Sequence, residues 1–369
     1  MRGSTMGFEQ SRPGCRCSGF SGHAPMGSCK HVRPIRRRCG RPDVTTPPIL
    51  RLCTHRSMTV LRMPSRQAQR AQHEHEAGTM MTVGRTGGNP ILDPKDAPHA
   101  RIPTRLRWSL ADVDFSKIDR ECIEGRDDMF LLVCSASFME SSSETFTRNL
   151  LDYFADDGEL GPWLSAAWEP EELQHGRALK TYVQHAWPAF DWDGAYSDFF
   201  AEYAKLCTAD ALEPTHGQEM VARCIVEMGT TTFYQALSAL SEEPVLRDLT
   251  WRIRTDEVQH YKHFYRSFLR YREQEQLHRS QVVATIWRRA VELRQSDADV
   301  ALRHAASWYF GEDQQAAAQS VRQVFARMAT QYPIELGVRM ALKPLLLPAQ
   351  IQRWVERPLA AVARWQLLH

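Results

Sequence analysis

The chain lacks several features that would have decided its class at once. No run of about 18 apolar residues occurs anywhere in its 369 residues, so no membrane-spanning helix is expected. The opening MRGSTMGFEQSRPGC has no apolar core of a secretory signal. Nine cysteines are present, but none are spaced CxxC, which removes the usual zinc ribbon and dithiol readings. Five of them (Cys15, Cys17, Cys29, Cys39, Cys53) fall early, and Cys122, Cys134, Cys207 and Cys224 sit in apolar stretches. Buried free thiols in a reducing, cytoplasmic compartment are the expectation for these four. Convincing alternating strands are also missing.

A large net charge is missing too, but the +2 total averages two unlike regions. Residues 1–80 carry 13 Arg and 1 Lys against Glu9, Asp43, Glu74 and Glu76, a net of +10. The rest carries a net of −8, so bulk charge gives no reason to expect a nucleic-acid partner there. Residues 1–100 are rich in Gly, Pro, Ser, Arg and His without apolar periodicity, and disorder is expected. We favour a true translation start at Met58, Met80 or Met81. A transit peptide and a metal-binding tail on the early cysteines are the competing readings.

What is present is helix. The composition and pattern predict four units: 1–100 disordered, 101–127 a lead-in, 128–296 a helical bundle, and 297–369 amphipathic helices. A first helix is expected from Asp127 or Asp128 to near Gly158. A second carries Pro170 in its first turn, a third runs through Glu227, and a fourth runs through Glu257. The last 70 residues should break at Pro333, Pro344, Pro348 and Pro358.

Two tetrapeptides stand out, Glu172-Leu-Gln-His175 and Glu257-Val-Gln-His260, 85 residues apart. Residues three apart on a helix share one face, so each pair can offer a carboxylate and an imidazole to one metal ion. Each of these helices follows another that bears a Glu. This is the order of a ferritin-like four-helix bundle holding two metals, and the fold class expected is all-α. Glu227 stands among apolar neighbours, where a carboxylate is costly unless paired or metal-bound. Glu140 is preferred over Glu144 as the fourth carboxylate because its helical neighbours are more apolar. Four carboxylates and two imidazoles suit iron, with manganese as an alternative. Taken singly, either tetrapeptide is more often a solvated helix face.

EELQHG resembles the EENRHG motif of soluble acyl-carrier-protein desaturases, and DEVQH resembles their DEKRH. Trp168 matches the tryptophan four residues before their Glu. The resemblance, over about 128–272, implies a di-iron protein that activates O2, with Glu140, Glu172, His175, Glu227, Glu257 and His260 as ligands. It implies a ligand-orienting role for Asp256, for which a solvated helix residue is the equal alternative. It implies an O2-side role for Thr230, with Thr231 as competitor. The function expected is an O2-dependent oxidoreductase acting on an acyl chain or other apolar small molecule. It would be served by an electron donor such as a ferredoxin, with acyl carrier protein as a further candidate partner. The alternatives are ferritin- or rubrerythrin-like iron or peroxide handling, and a non-catalytic binding bundle. The C-terminal helices either cap the bundle, the preferred reading, or touch a membrane surface. The basic cluster Lys262, Arg266, Arg270 and Arg272 is read as a solvated face rather than a carrier dock. A homodimer is left open.

Overall fold

The computed structural model describes residues 106–292 and 297–368. The expectations for 1–100, including the early start and the cysteine tail, lie outside the described residues. Among the described residues all regular structure is helical, and no helix is long and apolar enough to cross a membrane.

Four helices build the centre: α1 (Asp127–Glu140), α4 (Glu169–Ala186), α6 (His216–Leu240) and α7 (Pro244–Gln274). Between α1 and α4 lie α2 (Ser143–Tyr153) and the short α3 (Leu160–Trp163). The chain crosses from the first half to the second through α5 (Trp192–Tyr203). It continues into α8 (Arg279–Glu292), α9 (Asp297–Phe310), α10 (Gln314–Gln331), α11 (Ile334–Leu342) and α12 (Ala349–Leu368). Helix α1 packs on α4, α6 on α7, and α4 on α7. The two halves therefore meet along the helices that bear the two tetrapeptides.

Local chemistry sets the helix ends. Thr215 caps α6 by accepting from the Gln218 N–H at 3.2 Å. Glu243 caps α7 by accepting from the Val245 and Leu246 N–H groups at 3.1 and 2.7 Å. Pro244 then opens that helix, where its missing N–H costs nothing. Helix α1 is apolar on nearly every side, with Phe130, Leu131, Val133 and Phe138 all fully buried. A helix of that kind must be wrapped on all sides, and α4, α5, α9 and α10 do so.

Three sequence expectations differ from what is observed. The first helix does not run on to Gly158 but ends at Glu140 and restarts at Ser143. Three consecutive serines stand at the break. Ser142 Oγ donates to the Phe138 carbonyl at 2.8 Å and Ser143 Oγ to that of Glu140 at 2.9 Å. Such back-bonding competes with the helical ladder. Pro358, in contrast, lies within α12 rather than ending it. The carbonyl it leaves without a helical donor belongs to Trp354, a residue 83% exposed and so open to water. The helix entering α4 also begins earlier than expected, as α3 followed by a π-helical turn at Leu164–Trp168.

The break in α1 meets α4 at Gly176. A Cβ placed there would lie 2.7 Å from the Ser141 backbone nitrogen and 2.8 Å from its Cα, so backbone would have to move. We expect Gly176→Ala to destabilise the protein by about 1–3 kcal/mol, measured by denaturant unfolding. An unchanged midpoint would remove this contact as the reason for the glycine.

Candidate metal centre

Glu140 is the last residue of α1; Glu172 and His175 lie on α4, Glu227 on α6, and Glu257 and His260 on α7. These six side chains form two overlapping groups, Glu140–Glu172–His175–Glu257 and Glu172–Glu227–Glu257–His260. Within each group the candidate donor atoms all lie within 4.8 Å of one another. Glu172 and Glu257 belong to both groups, so each is placed to bridge, while Glu140 and Glu227 each serve one side. None of the six is more than 7% exposed. Glu144, the competitor of Glu140, sits on α2 with its side chain 65% exposed and paired to Arg148.

The two imidazoles are held across the bundle. His175, on α4, has Nε2 3.1 Å from Asp256 Oδ2 on α7. His260, on α7, has Nε2 2.8 Å from Glu171 Oε2 on α4. Each tetrapeptide is thus preceded by an acid that orients the histidine of the other helix. Both Nδ1 atoms are thereby turned inward. Nδ1 of His175 lies 3.3 Å from Glu257 Oε1, and Nδ1 of His260 lies 3.0 Å from Glu172 Oε1. Yet neither Nδ1, nor Glu257 Oε1, has a hydrogen-bond partner although all three are buried. Buried polar atoms are rarely left so. A cation among them satisfies all three, and two divalent ions balance four carboxylates. The donor set, oxygen with imidazole and no thiolate, suits iron or manganese. On these grounds the residues present fit a pair of such ions.

A further layer comes from the lead-in. Arg107 Nη1 donates to Asp256 Oδ1 at 2.8 Å and to Glu171 Oε1 at 3.3 Å, joining both histidine-orienting acids. Trp108 Nε1 donates to Asp256 Oδ2 at 2.7 Å, and its ring stacks on His175 at 6.1 Å between centroids. Tyr234 O–H donates a short hydrogen bond to Glu140 Oε1. Thr230 Oγ1 donates to Glu257 Oε2 at 2.8 Å, so its hydroxyl is tied to one of the shared carboxylates. Thr231, one residue on, is fully buried with its hydroxyl unpartnered.

Sequence reasoning assigned a role to Asp256 but not to Glu171, although both tetrapeptides are preceded by an acid. That shared position was the available signal. Arg107 and Trp108 lie where no periodicity marks them, and nothing local pointed to either.

Electrostatics follow from the burial. Desolvation, then the neighbouring carboxylates Glu172 and Glu257, push Glu140 well above the usual carboxylate range. Burial and the Glu257 charge raise Glu172, and burial lifts Glu227 to about 8. Burial opposes the charged form of Glu257 as well, but His175 and His260 outweigh it and hold that carboxyl well below its usual range. Burial likewise opposes both imidazolium ions, and the carboxylates around them overcome it and raise both histidines. Without cations, protons stand in for them.

No protein-family model matches the chain, and no curated protein matches it. Solved structures of R2-like ligand-binding oxidases are similar. A Tyr-to-Phe mutant with aerobically reconstituted Mn/Fe cofactor is 15% identical, over 65% of this chain and 95% of its own, at a TM-score of 0.41. A Gly-to-Leu mutant with aerobically reconstituted Fe/Fe cofactor is 16% identical, over 61% and 88%, at 0.39. The likeness is weak and carries no argument about this chain's chemistry.

Two outcomes follow from the geometry and charge. Groups with raised folded values stabilise below their unfolded pKa and lose that contribution as pH rises through the folded one. For Glu227 the loss spans roughly 4.5 to 8, and for both histidines it begins near 6.5. Glu257, lowered, contributes constantly above its unfolded value. Chelated protein should therefore melt at progressively lower temperature from about pH 6.5 to 8. The gap to metal-loaded protein should widen over the same interval, because metal displaces those protons. Calorimetry showing the reverse slope would contradict this account. Separately, Asp256→Asn and Glu171→Gln should each weaken metal binding by about 10–100-fold, read by competition with a chromophoric chelator.

Proposed function

We propose that the chain is an O2-dependent di-metal oxidoreductase acting on an apolar small molecule. The observation that carries this reading is the pair of crossed histidine–acid contacts, which leave two buried Nδ1 atoms aimed at four carboxylates. Iron, or manganese with iron, is the metal we assign. When bound, such a pair supplies the reductive activation of O2 that one buried side chain cannot perform.

The chain's own residues have distinct tasks. Glu172 and Glu257 would hold both ions, Glu140 and His175 one, Glu227 and His260 the other. Asp256 and Glu171 accept from Nε2 of the two histidines, keeping each proton on that nitrogen and freeing the Nδ1 lone pair. Thr230 restrains the Glu257 oxygen that faces His260. Thr231, one turn along α6 from Glu227, keeps a buried hydroxyl without a hydrogen-bond partner. Burial of all six ligands at 7% exposure or less excludes bulk water from a reactive site.

The motif resemblance suggests an acyl chain as substrate, delivered on acyl carrier protein, with a ferredoxin-like electron donor. We carry these as the finer part of the proposal. They rest on EELQHG, DEVQH and the matching Trp168 alone.

Protein purified from cells supplied with iron and manganese should hold about two ions per chain. Its charge-transfer absorption should bleach on chemical reduction, and O2 should be consumed when the reduced protein is exposed to air. Glu227→Ala and His260→Ala should each lose metal. Metal content indifferent to both substitutions would sink the reading. Mass spectrometry of incubations with acyl carrier protein thioesters then separates a desaturase-like product from O2 uptake without one.

A further inference from the structure

The last helix carries a surface that the metal centre does not use. In α12, Ile351, Trp354, Pro358, Val362 and Trp365 recur at helical intervals and are all exposed. At about 100° per residue they fall within one arc of about 80°. Trp354 and Trp365 are 83% and 61% exposed, and Ile351 and Val362 are 50% and 52%. The less exposed side of α12 is instead formed by Gln352, Val355, Glu356, Ala360 and Ala363, and the helix packs on α11 and α10. A helix of this protein that only capped the bundle would turn its tryptophans and branched aliphatics inward. This one keeps both tryptophans outward and turns mainly small and polar residues inward, with Val355 half-buried among them.

Charge identifies the occupant. Arg353, Arg357 and Arg364 are exposed and share an arc of about 40° along one edge of the apolar stripe. Arg364 is paired with Glu335. Against the single acid of the helix, Glu356, these three arginines give a net of +2, whereas the chain beyond residue 80 is net −8. The helix is thus net basic within a net acidic stretch of chain, and Arg353 and Arg357 carry the charge that Glu335 does not pair. The apolar stripe carries two exposed indoles, Trp354 and Trp365, and Arg353 and Arg357 stand beside Trp354. Indole rings and arginines beside an apolar stripe are the features by which a helix lies in the headgroup layer of an anionic bilayer.

We propose that α12 docks the protein on an anionic lipid surface, with its Ile351–Trp365 stripe inserted and its arginines on the headgroups. The assignment is independent of the metal reading, since none of these residues touches the centre.

The test is flotation of the full chain with vesicles of phosphatidylcholine, with and without phosphatidylglycerol. Binding is expected only with phosphatidylglycerol and should weaken with salt. Arg353→Gln and Arg357→Gln should each weaken it roughly fivefold. Trp354→Ala should weaken it further, and Trp354→Phe should remove part of the fluorescence blue-shift seen on binding. Trp287→Ala, on α8, is the control, because that indole is exposed to 71% and lies outside the stripe. All variants should keep the wild-type melting temperature and metal content. Binding that survives the α12 substitutions would lie with the basic first eighty residues and would overturn the proposal. So would an equal loss in Trp287→Ala, or no binding to either vesicle. A concentration-dependent dimer abolished by Trp354→Ala would make the stripe an interface between copies, and that too overturns it.

Discussion

Everything at the centre depends on two hydrogen bonds that cross between α4 and α7, His175 to Asp256 and His260 to Glu171. An imidazole free to rotate would present either nitrogen, and its donor atom would wander by ångströms. Fixing Nε2 on an acid from the opposite helix fixes both the tautomer and the ring plane. Because the contacts are reciprocal, neither helix can slide without loosening both histidines. Arg107 reaches both acids at once, 2.8 and 3.3 Å away, so a single cation ties the two contacts together. Its own side chain is 39% exposed, which places this tie at the edge of the bundle where the lead-in arrives.

Such an arrangement is expensive before any cation binds. Six ionisable groups stand in a volume that excludes water, and opposite charges repay burial only where geometry and further hydrogen bonds are good. The fold supplies the compensation through packing around them. Helix α1 is buried on nearly all sides by α4, α5, α9 and α10, so the apolar clusters continue right up to the polar centre. The helices after residue 297 are therefore part of that scaffold as well as a surface. Ala301, Leu302, Ala305, Ala306 and Val324 belong to the same buried cluster as Phe130 and Phe138.

The sequence made some of this readable and not the rest. The Glu-x-x-His spacing speaks of one helix face because it is local: residues three apart are neighbours whatever the tertiary structure. Glu227 is visible for the same reason, a charge among apolar neighbours on its own helix. The crossed pairing is not local, for Glu171 and His260 lie on different helices 89 residues apart. Only the repetition of an acid before each tetrapeptide hinted at it. Arg107 and Trp108 reach the centre from an irregular segment with no period to read. The Ser141–Ser143 break hid because the apolar pattern continues across it, and pattern outweighs back-bonding in any windowed reading. Pro358 misled in the other direction. The residue whose carbonyl it orphans, Trp354, is 83% exposed, so the lost helical bond costs less there than in the core.

The two halves of the centre are alike in ligand type but not in backbone support. Glu227 stands in the middle of the 25-residue α6, held by ladder hydrogen bonds on both sides. Glu140 closes α1, and the chain after it abandons the helix. Its backbone alone would leave that carboxylate loosely placed. Two contacts restore the constraint. Gly176 lets α4 approach Ser141 directly, one residue beyond Glu140 and one beyond His175 in their respective chains. Tyr234, two turns along α6 from Glu227, donates to one Glu140 oxygen and so leaves the other to face His175 at 3.9 Å. The helix that positions the second carboxylate thus also disciplines the first. A six-residue constellation drawn from four helices is kept in register by α6 on one side and by the α4–α7 crossing on the other.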